Sequence, residues 1–145
     1  MGHVGLLPQG VKNKEDYRAR RTADEAVSVI EDAVALEQAG VFAMVVEAVA
    51  GPVGDALMKR VTVPVIGIGA GAAPDGQVLV YHDLIGLTET RPAKFVKRYA
   101  ACGDVMVEAV TAFAADVRSR RYPAPEHTYG MAGDELARFR ERTSG

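Results

Sequence analysis

The sequence predicts an α/β protein built on a mostly parallel β-sheet. Patterns typical of strands and helices follow one another in the order strand, helix, strand, helix, strand, strand, helix, helix, an alternation typical of parallel sheets. The strand predicted at residues 41–48 is apolar on both faces, as expected where helices cover both sides of a sheet. Two architectures fit this order: an open doubly wound sheet and an arc of a (β/α) barrel.

The first helix is predicted over residues 23–39. Thr22 and Glu25 have the spacing of a capping box, in which each side chain accepts a hydrogen bond from a free backbone N–H. Apolar residues then recur at helical spacing over residues 26–34. Gly40 follows, and glycine readily takes the left-handed conformation that ends a helix.

The strands are recognised by short apolar runs between Gly- and Pro-rich segments. They are predicted at residues 3–6, 41–48, 63–67 and 77–81. A short helix, weakened by Gly54, is expected at residues 52–60, and a polar loop at residues 11–21. The stretch 69–76 (GAGAAPDG) is too short and too rich in Gly and Pro to form a helix.

The C-terminal third is predicted to contain two helices, at residues 92–101 and at residues 104–119. The second has an apolar face formed by Met106, Ala109, Val110, Phe113 and Val117. The charged stretch 131–145 reads as a polar C-terminal tail without regular structure. Residues 1–130 would then form the folded domain.

Composition excludes several classes of protein. A chain of 145 residues can bury one core, and 48% hydrophobic with 25% charged residues is ordinary for a globular domain. A net charge of -2 gives no reason to expect nucleic acid or an anionic membrane as a partner. The single cysteine, Cys102, cannot form a disulfide framework or a Cys-rich zinc site, which fits the cytoplasm. No apolar stretch reaches the roughly 20 residues that span a bilayer.

The segment 67–72 (GIGAGA) formally matches a dinucleotide-binding fingerprint after a strand. That fingerprint requires a helix directly behind it, whose N-terminus holds the pyrophosphate. Pro74, Asp75 and Gly76 follow instead, and Asp75-Gly76 is typical of a turn. Nucleotide binding is therefore disfavoured. Glycines at the carboxyl end of a strand still allow a ligand to approach the backbone, and Gly69 is a candidate for this role.

Glu47 lies in a run of ten residues, 41–50, whose other nine members are apolar. Two interpretations compete. In the first, the carboxylate pairs with an arginine or caps a neighbouring helix. In the second, it is a general base at a strand end, where apolar surroundings favour proton uptake. His3, His82 and Asp83 are weaker pocket candidates, since a lone histidine is more often structural and Asp83 could cap the next segment. No spacing typical of a metal site occurs.

Several blocks of sequence resemble the motifs of one enzyme family. They are residues 2–9 (GHVGLLPQ), 45–49 (VVEAV), 63–71 (VPVIGIGAG), 75–80 (DGQVLV), 82–83 (HD), 94–97 (KFVK) and 122–127 (YPAPEH). In order and spacing they resemble ketopantoate hydroxymethyltransferase, across about residues 1–129. The chain departs from the family pattern at Leu7, where the family has Thr, and at Ala48, where it has Cys.

The resemblance implies a (β/α)8 barrel that assembles into a cytoplasmic homo-oligomer. It implies transfer of a hydroxymethyl group from 5,10-methylenetetrahydrofolate to the 2-oxo acid 3-methyl-2-oxobutanoate, giving 2-dehydropantoate for pantothenate biosynthesis. In the family, Mg2+ stabilises the enolate of the substrate. The family's catalytic base maps onto Glu47, while His3, Gly69, His82 and Asp83 become candidates for the substrate pocket.

The resemblance also implies that the chain corresponds to the C-terminal half of the barrel. A complete barrel of this type needs about 250 residues. The family's metal-binding carboxylates lie before the segment that residues 2–9 match, so metal ligands are expected to be absent from this chain. The sequence therefore predicts an N-terminally truncated transferase that is inactive alone. The alternative is a non-catalytic half-barrel that associates with itself or with a missing half. A related barrel enzyme that acts on 2-oxo acids is disfavoured by the motifs in residues 63–83.

Overall fold

The computed structural model describes residues 1–13 and 17–144. Contacts divide the chain into two compact units, Met1–Ala101 and Cys102–Gly145, and each is described here by itself. Part of the loop predicted at residues 11–21 lies outside the described residues. No helix in the described ranges is long and apolar enough to cross a membrane.

The first unit is built on a parallel sheet of four strands. They are β1 (Gly2–Gly5), β2 (Met44–Glu47), β3 (Val65–Ile68) and β4 (Gly76–Gln77). Their order in the sheet is the order in the chain, and every neighbouring pair is parallel. Strands that follow one another around a sheet in sequence are the pattern of a barrel arc rather than of a doubly wound sheet, whose strand order reverses.

Two helices cover one face of this sheet. They are α1 (Ala23–Gln38) and α2 (Gly51–Leu57), which pack against each other. The core between helices and sheet is formed by Val4, Val29, Ala33, Met44, Val46, Val53, Leu57 and Val65, among others. Since both crossover helices lie on the same face, the open doubly wound alternative is excluded, and the predicted α/β fold is confirmed as a part of a (β/α) barrel.

The capping box predicted for α1 is present. The Thr22 hydroxyl accepts a hydrogen bond from the Glu25 N–H (3.3 Å), and the Glu25 carboxylate accepts from the Thr22 N–H (3.1 Å). Arg18 Nη2 lies 2.6 Å from the same carboxylate. The Arg18 guanidinium, and after it the backbone donors of Arg21 and Thr22, hold the pKa of Glu25 far below its ordinary value. These contacts fix where α1 begins.

The β3–β4 connection has no helix, as the sequence predicts. It turns past the start of α2, and three glycines make the passage close. A Cβ added to Gly54 would lie 2.3 Å from the Ala70 carbonyl oxygen, one on Gly67 would lie 2.9 Å from the Pro74 ring, and one on Gly71 would lie 3.0 Å from Gly51. The residues after the GIGAG segment therefore pack against α2 and β3 instead of starting a helix, so no helix N-terminus is present there to bind a pyrophosphate.

Two predicted elements of the first unit are wrong. The strand expected at residues 77–81 ends at Gln77, and Tyr81 begins a short helix, α3 (Tyr81–Leu84). The helix expected at residues 92–101 does not form. Its polar groups bond elsewhere: the Tyr99 N–H donates to the Leu84 carbonyl (2.8 Å), and the Arg98 guanidinium donates to the Thr88 carbonyl (2.9 Å). Tertiary contacts replace the helical hydrogen bonds that the apolar spacing suggested.

The second unit is helical. α4 (Cys102–Arg118) confirms the helix predicted at residues 104–119, and a cluster of Phe113, Tyr122 and His127 rings follows it. The tail was expected to lack regular structure, but the structure contains a helix, α5 (Gly133–Thr143). Its ends suit the helix dipole, with acidic residues in the first turn and arginines in the last. The domain boundary near residue 130 stays a prediction.

Glu37, in the last turn of α1, ties that helix to the start of the segment leading into β3. One of its carboxylate oxygens accepts three hydrogen bonds, from the Thr62 N–H (2.6 Å), the Thr62 hydroxyl (2.8 Å) and the Val63 N–H (3.0 Å). The Thr62 backbone N–H and then its hydroxyl lower the pKa of Glu37. A group whose pKa is depressed by folding stabilises the fold above its unfolded pKa, and the benefit is lost as pH falls through the folded value.

Replacing Gly54 by alanine is expected to destabilise the chain by about 1–3 kcal/mol, because the new methyl group meets a backbone carbonyl that cannot move aside cheaply. Gly51 in the same helix has nothing within 4 Å of an added Cβ, so Gly51→Ala should change the free energy of unfolding by less than about 1 kcal/mol. Urea denaturation of the three proteins measures both values. Equal stability of the two variants would contradict the close approach.

Glu37→Gln is expected to lower the melting temperature at neutral pH, because an ionised acceptor of three hydrogen bonds is lost. The difference from the unsubstituted chain should shrink as pH falls below about 4, where the carboxylate takes up its proton. Thermal denaturation followed by circular dichroism across pH tests this. Glu31→Gln, on the exposed side of α1, is the control and should leave the pH profile unchanged. A constant gap at all pH values would argue against the role of the charge.

Candidate active site

Glu47 is the last residue of β2 and lies at the carboxyl edge of the sheet. It is paired in register with Gly5 of β1 and Ile68 of β3, so three strands end level around it. Side chains alternate along a strand, and Met44 and Val46 face the helices. Glu47 therefore faces the opposite side of the sheet, which is the interior side of a barrel. Although charged, the residue is only 9% exposed.

The backbone around Glu47 is held on both sides by the neighbouring strands. On the β1 side, the Leu6 N–H donates to the Glu47 carbonyl (2.9 Å). On the β3 side, the Ala48 N–H donates to the Ile68 carbonyl (2.8 Å) and the Val49 N–H to the Gly69 carbonyl (3.1 Å). A fourth bond comes from the segment before α1, where the Arg20 N–H donates to the Ala48 carbonyl (2.8 Å). Ala48 has a φ of 50°, in the left-handed region that costs a residue with a Cβ about 1–2 kcal/mol. The bonds on either side hold this turn, and they fix the point from which the Glu47 side chain starts.

The structure brings His3 to Glu47. The imidazole Nε2 of His3 lies 3.2 Å from Oε2 of Glu47, and the side chains are 32% and 12% exposed. The Nε2 atom is buried, and its N–H is not aligned on the oxygen well enough to form a full hydrogen bond. The contact is a close polar approach between β1 and the end of β2. The predicted arginine partner is not found: among residues 1–13 and 17–101, no arginine pairs with this carboxylate.

Gly69 lies just beyond β3, on the same edge. Its φ of 67° belongs to the left-handed region, and a Cβ at this position would lie 2.4 Å from the ring of Phe95. Only glycine fits under this ring without displacing it. Phe95 comes from the segment that was predicted to be helical. Its ring lies against Gly69 and so covers the end of β3, while 38% of the residue stays exposed.

His82 and Asp83 lie in α3, after β4. The Asp83 carboxylate accepts a hydrogen bond from the Thr88 hydroxyl, and His82 is exposed, with its ring edge-on to Tyr81. In the described part of the first unit, no hydrogen bond or ion pair joins either residue to Glu47. Of the four predicted pocket residues, the structure places His3 against Glu47 and Gly69 beside it, while the role of His82 and Asp83 stays a prediction.

The described residues do not form a metal centre of their own. Within residues 1–13 and 17–144, no group of three or more His, Cys, Asp and Glu side chains comes together. What the site offers is one nearly buried carboxylate, fixed at a strand end and approached by an imidazole. Such a carboxylate can accept a proton from a carbon or oxygen acid that reaches the edge of the sheet.

Two features of the site could not be read from the residues alone. The left-handed turn at Ala48 has no sequence signal, because neither glycine nor asparagine occupies it. Phe95 over Gly69 depends on a long-range contact, and the apolar spacing around it suggested a helix instead. The run KFVK, which contains Phe95, was the available signal, since it is one of the blocks that resemble a family motif.

Comparisons with known proteins show which family this chain is similar to. The family model described as ketopantoate hydroxymethyltransferase matches residues 1–125. A 3-methyl-2-oxobutanoate hydroxymethyltransferase from Geobacillus kaustophilus is 46% identical over 136 residues, which are 93% of this chain and 49% of that protein. Proteins of the same name from Shouchella clausii and Rhodospirillum centenum are 49% and 51% identical, each over 130 residues, covering 89% of this chain and 47% of those proteins.

The chain thus spans about half the length of the curated relatives it matches. Its parallel strands and covering helices are half of the family's barrel. By the extent of the family match and by this level of identity, the chain belongs to the ketopantoate hydroxymethyltransferase family.

Proposed function

We propose that this chain contributes the catalytic base of a 3-methyl-2-oxobutanoate hydroxymethyltransferase, and that Glu47 is the base. The observation that carries the proposal is the position of the carboxylate. It is nearly buried, at the carboxyl edge of a parallel sheet, within the segment that matches the family model. In barrel enzymes this edge holds the active site.

The chemistry required of Glu47 is removal of one proton from the carbon next to the keto group of the substrate. The electron pair of that C–H bond becomes the enolate, and the proton passes to the Glu47 carboxylate. Water would break both C–N bonds of the one-carbon unit of 5,10-methylenetetrahydrofolate, its two protons passing to the folate nitrogens, so that tetrahydrofolate leaves. The enolate carbon would then form a bond to the released carbon, whose oxygen comes from that water. The proton held by Glu47 would complete the hydroxyl group of the product. A nearly buried carboxylate on the interior side of the sheet is placed to perform this step on a substrate bound at that edge.

Mg2+, the folate and the cytoplasm as location belong to the same proposal. Residues 1–13 and 17–144 do not group into a metal centre. We propose that the metal ligands lie in the part of the full-length relatives that this chain does not match. The transferase would then require both parts, with the metal and the base on opposite halves of the barrel.

The isolated chain is expected to form no detectable 2-dehydropantoate from substrate, Mg2+ and the folate. Mixing or co-expressing it with the unmatched portion of the Rhodospirillum centenum relative should restore product formation, because that portion supplies what the chain lacks. Product is measured by mass spectrometry. Turnover by the chain alone, at a rate near that of a full-length relative, would contradict the proposal that the base and the metal ligands lie on different halves of the barrel.

In the reconstituted enzyme, Glu47→Gln should lower kcat by about 10²–10⁴-fold, because the amide cannot take up the proton. Glu31→Gln, a change of the same kind at an exposed carboxylate of α1, is the matched control and should lose far less activity. Retention of kcat in the Glu47 variant would rule out Glu47 as the base.

A second candidate function is association without catalysis. Among the described strands, β1 and β4 each have one neighbour, so each presents an edge of unpaired backbone groups. The interior side of the sheet also leaves Val45, Ile66 and Ile68 only partly buried. An open parallel sheet with an apolar inner side is stabilised when further strands complete it, from a second copy of the chain or from the other half of a barrel.

The purified chain is therefore expected to sediment as an oligomer when its complementary half is absent. Ile66→Glu, on the inner side of β3, should shift it towards monomer, because the charge opposes burial of that side. Val27→Glu, on the exposed side of α1, should not. Analytical ultracentrifugation gives the masses, and circular dichroism verifies that both variants are folded. A chain that is monomeric before substitution would dismiss self-association.

A further inference from the structure

The Glu47 carboxylate has one polar neighbour in its own unit. Over residues 1–13 and 17–101, His3 is the side chain within ion-pair distance of it, and no hydrogen bond from another donor reaches its oxygens. Conversely, Nε2 of His3 is buried and has no other partner in the same ranges. A buried imidazole nitrogen is costly to leave unpaired, so the pair is the arrangement in which both groups are best satisfied.

We propose that His3 is a positioning residue, which holds the Glu47 carboxylate in place by donating its Nε2–H to Oε2. This inference rests on the proposed function, in which Glu47 is the base. The other oxygen, Oε1, is left to accept the substrate proton. A small rotation of the imidazole aligns the N–H with an oxygen that is already 3.2 Å away, and such contacts in unliganded sites often tighten when substrate binds.

The need for such a partner follows from the geometry of β2. Hydrogen bonds to both neighbouring strands fix the backbone of Glu47, but they do not fix its side chain, which has three rotatable bonds. A carboxylate free to turn would spend little time in the geometry for proton transfer. Misplacing a catalytic group by about 1 Å can cost on the order of a hundredfold in rate. A donor carried on β1, which is held in register with β2, restricts the carboxylate from a rigid element.

Histidine suits this task better than arginine or lysine. A permanent positive charge would favour the ionised carboxylate and so oppose the proton uptake that a base must perform. A neutral imidazole donates one N–H without carrying that charge.

The contact is tested in the 145-residue chain itself by NMR, with 15N-labelled histidine. Glu47→Gln should move the ring-nitrogen resonances of His3, whereas those of His82, which has no hydrogen bond or ion pair to Glu47 within the described part of the first unit, should stay in place. In the converse experiment, His3→Leu should increase the mobility of the 13C-labelled Glu47 carboxyl group. Unchanged His3 resonances in the Glu47 variant, or unchanged carboxyl mobility in the His3 variant, would overturn the proposal.

The catalytic consequence is tested in the reconstituted enzyme. His3→Leu should lower kcat by about tenfold to a hundredfold with little change in KM, and His3→Gln, which keeps an N–H donor, should recover part of the loss. An unchanged kcat, or a change confined to KM, would overturn the positioning role. If the unsubstituted reconstituted enzyme makes no product, the proposed function fails, and the NMR measurements still decide whether His3 holds Glu47.

Discussion

The level register of three parallel strands is the constraint on which the rest of this structure depends. Gly5, Glu47 and Ile68 are paired across β1, β2 and β3, so the three strands end at one edge. Parallel pairing with sequential order also requires each connection to cross the same face, which places α1 and α2 together and buries the core beneath them. The opposite face is left for functional side chains. A shift of one residue would turn Glu47 into the helix layer and Val46 out of it.

Because side chains alternate along β2, the residues of the hydrophobic core and the Glu47 carboxylate lie on opposite faces of the sheet. Met44 and Val46 are fully buried against the helices, while Val45 and Glu47 face the interior of the barrel. The chain thereby keeps a carboxylate in an apolar strand without placing it in the hydrophobic core, where an unpaired charge would be costly. The imidazole of His3 lies on the same side of the sheet, on the neighbouring strand, and so approaches the Glu47 carboxylate.

Local sequence signals anticipated much of the fold and part of the site. The capping box at Thr22 and Glu25 placed the start of α1 because a cap is determined by residues three apart. The apolar run around Glu47 marked a strand, and its lone carboxylate marked a site. The sequence-based predictions were wrong where contacts between residues far apart in the chain determine the local structure. The segment around Phe95, for example, packs over Gly69 instead of forming a helix. The approach of His3 to Glu47 depends on strand pairing across more than forty positions, which periodicity does not reveal.

The segment around Arg20 links two parts of the molecule that the sequence keeps apart. Its N–H donates to the Ala48 carbonyl, and its carbonyl accepts from the Ala50 N–H (3.1 Å), two residues before Thr22 caps α1. Fraying of the first turn of α1 would therefore loosen the turn that follows Glu47. The start of α1 and the end of β2 that carries Glu47 belong to one cooperative unit of local unfolding, so slow hydrogen exchange at the Ala50 amide would show that both are ordered.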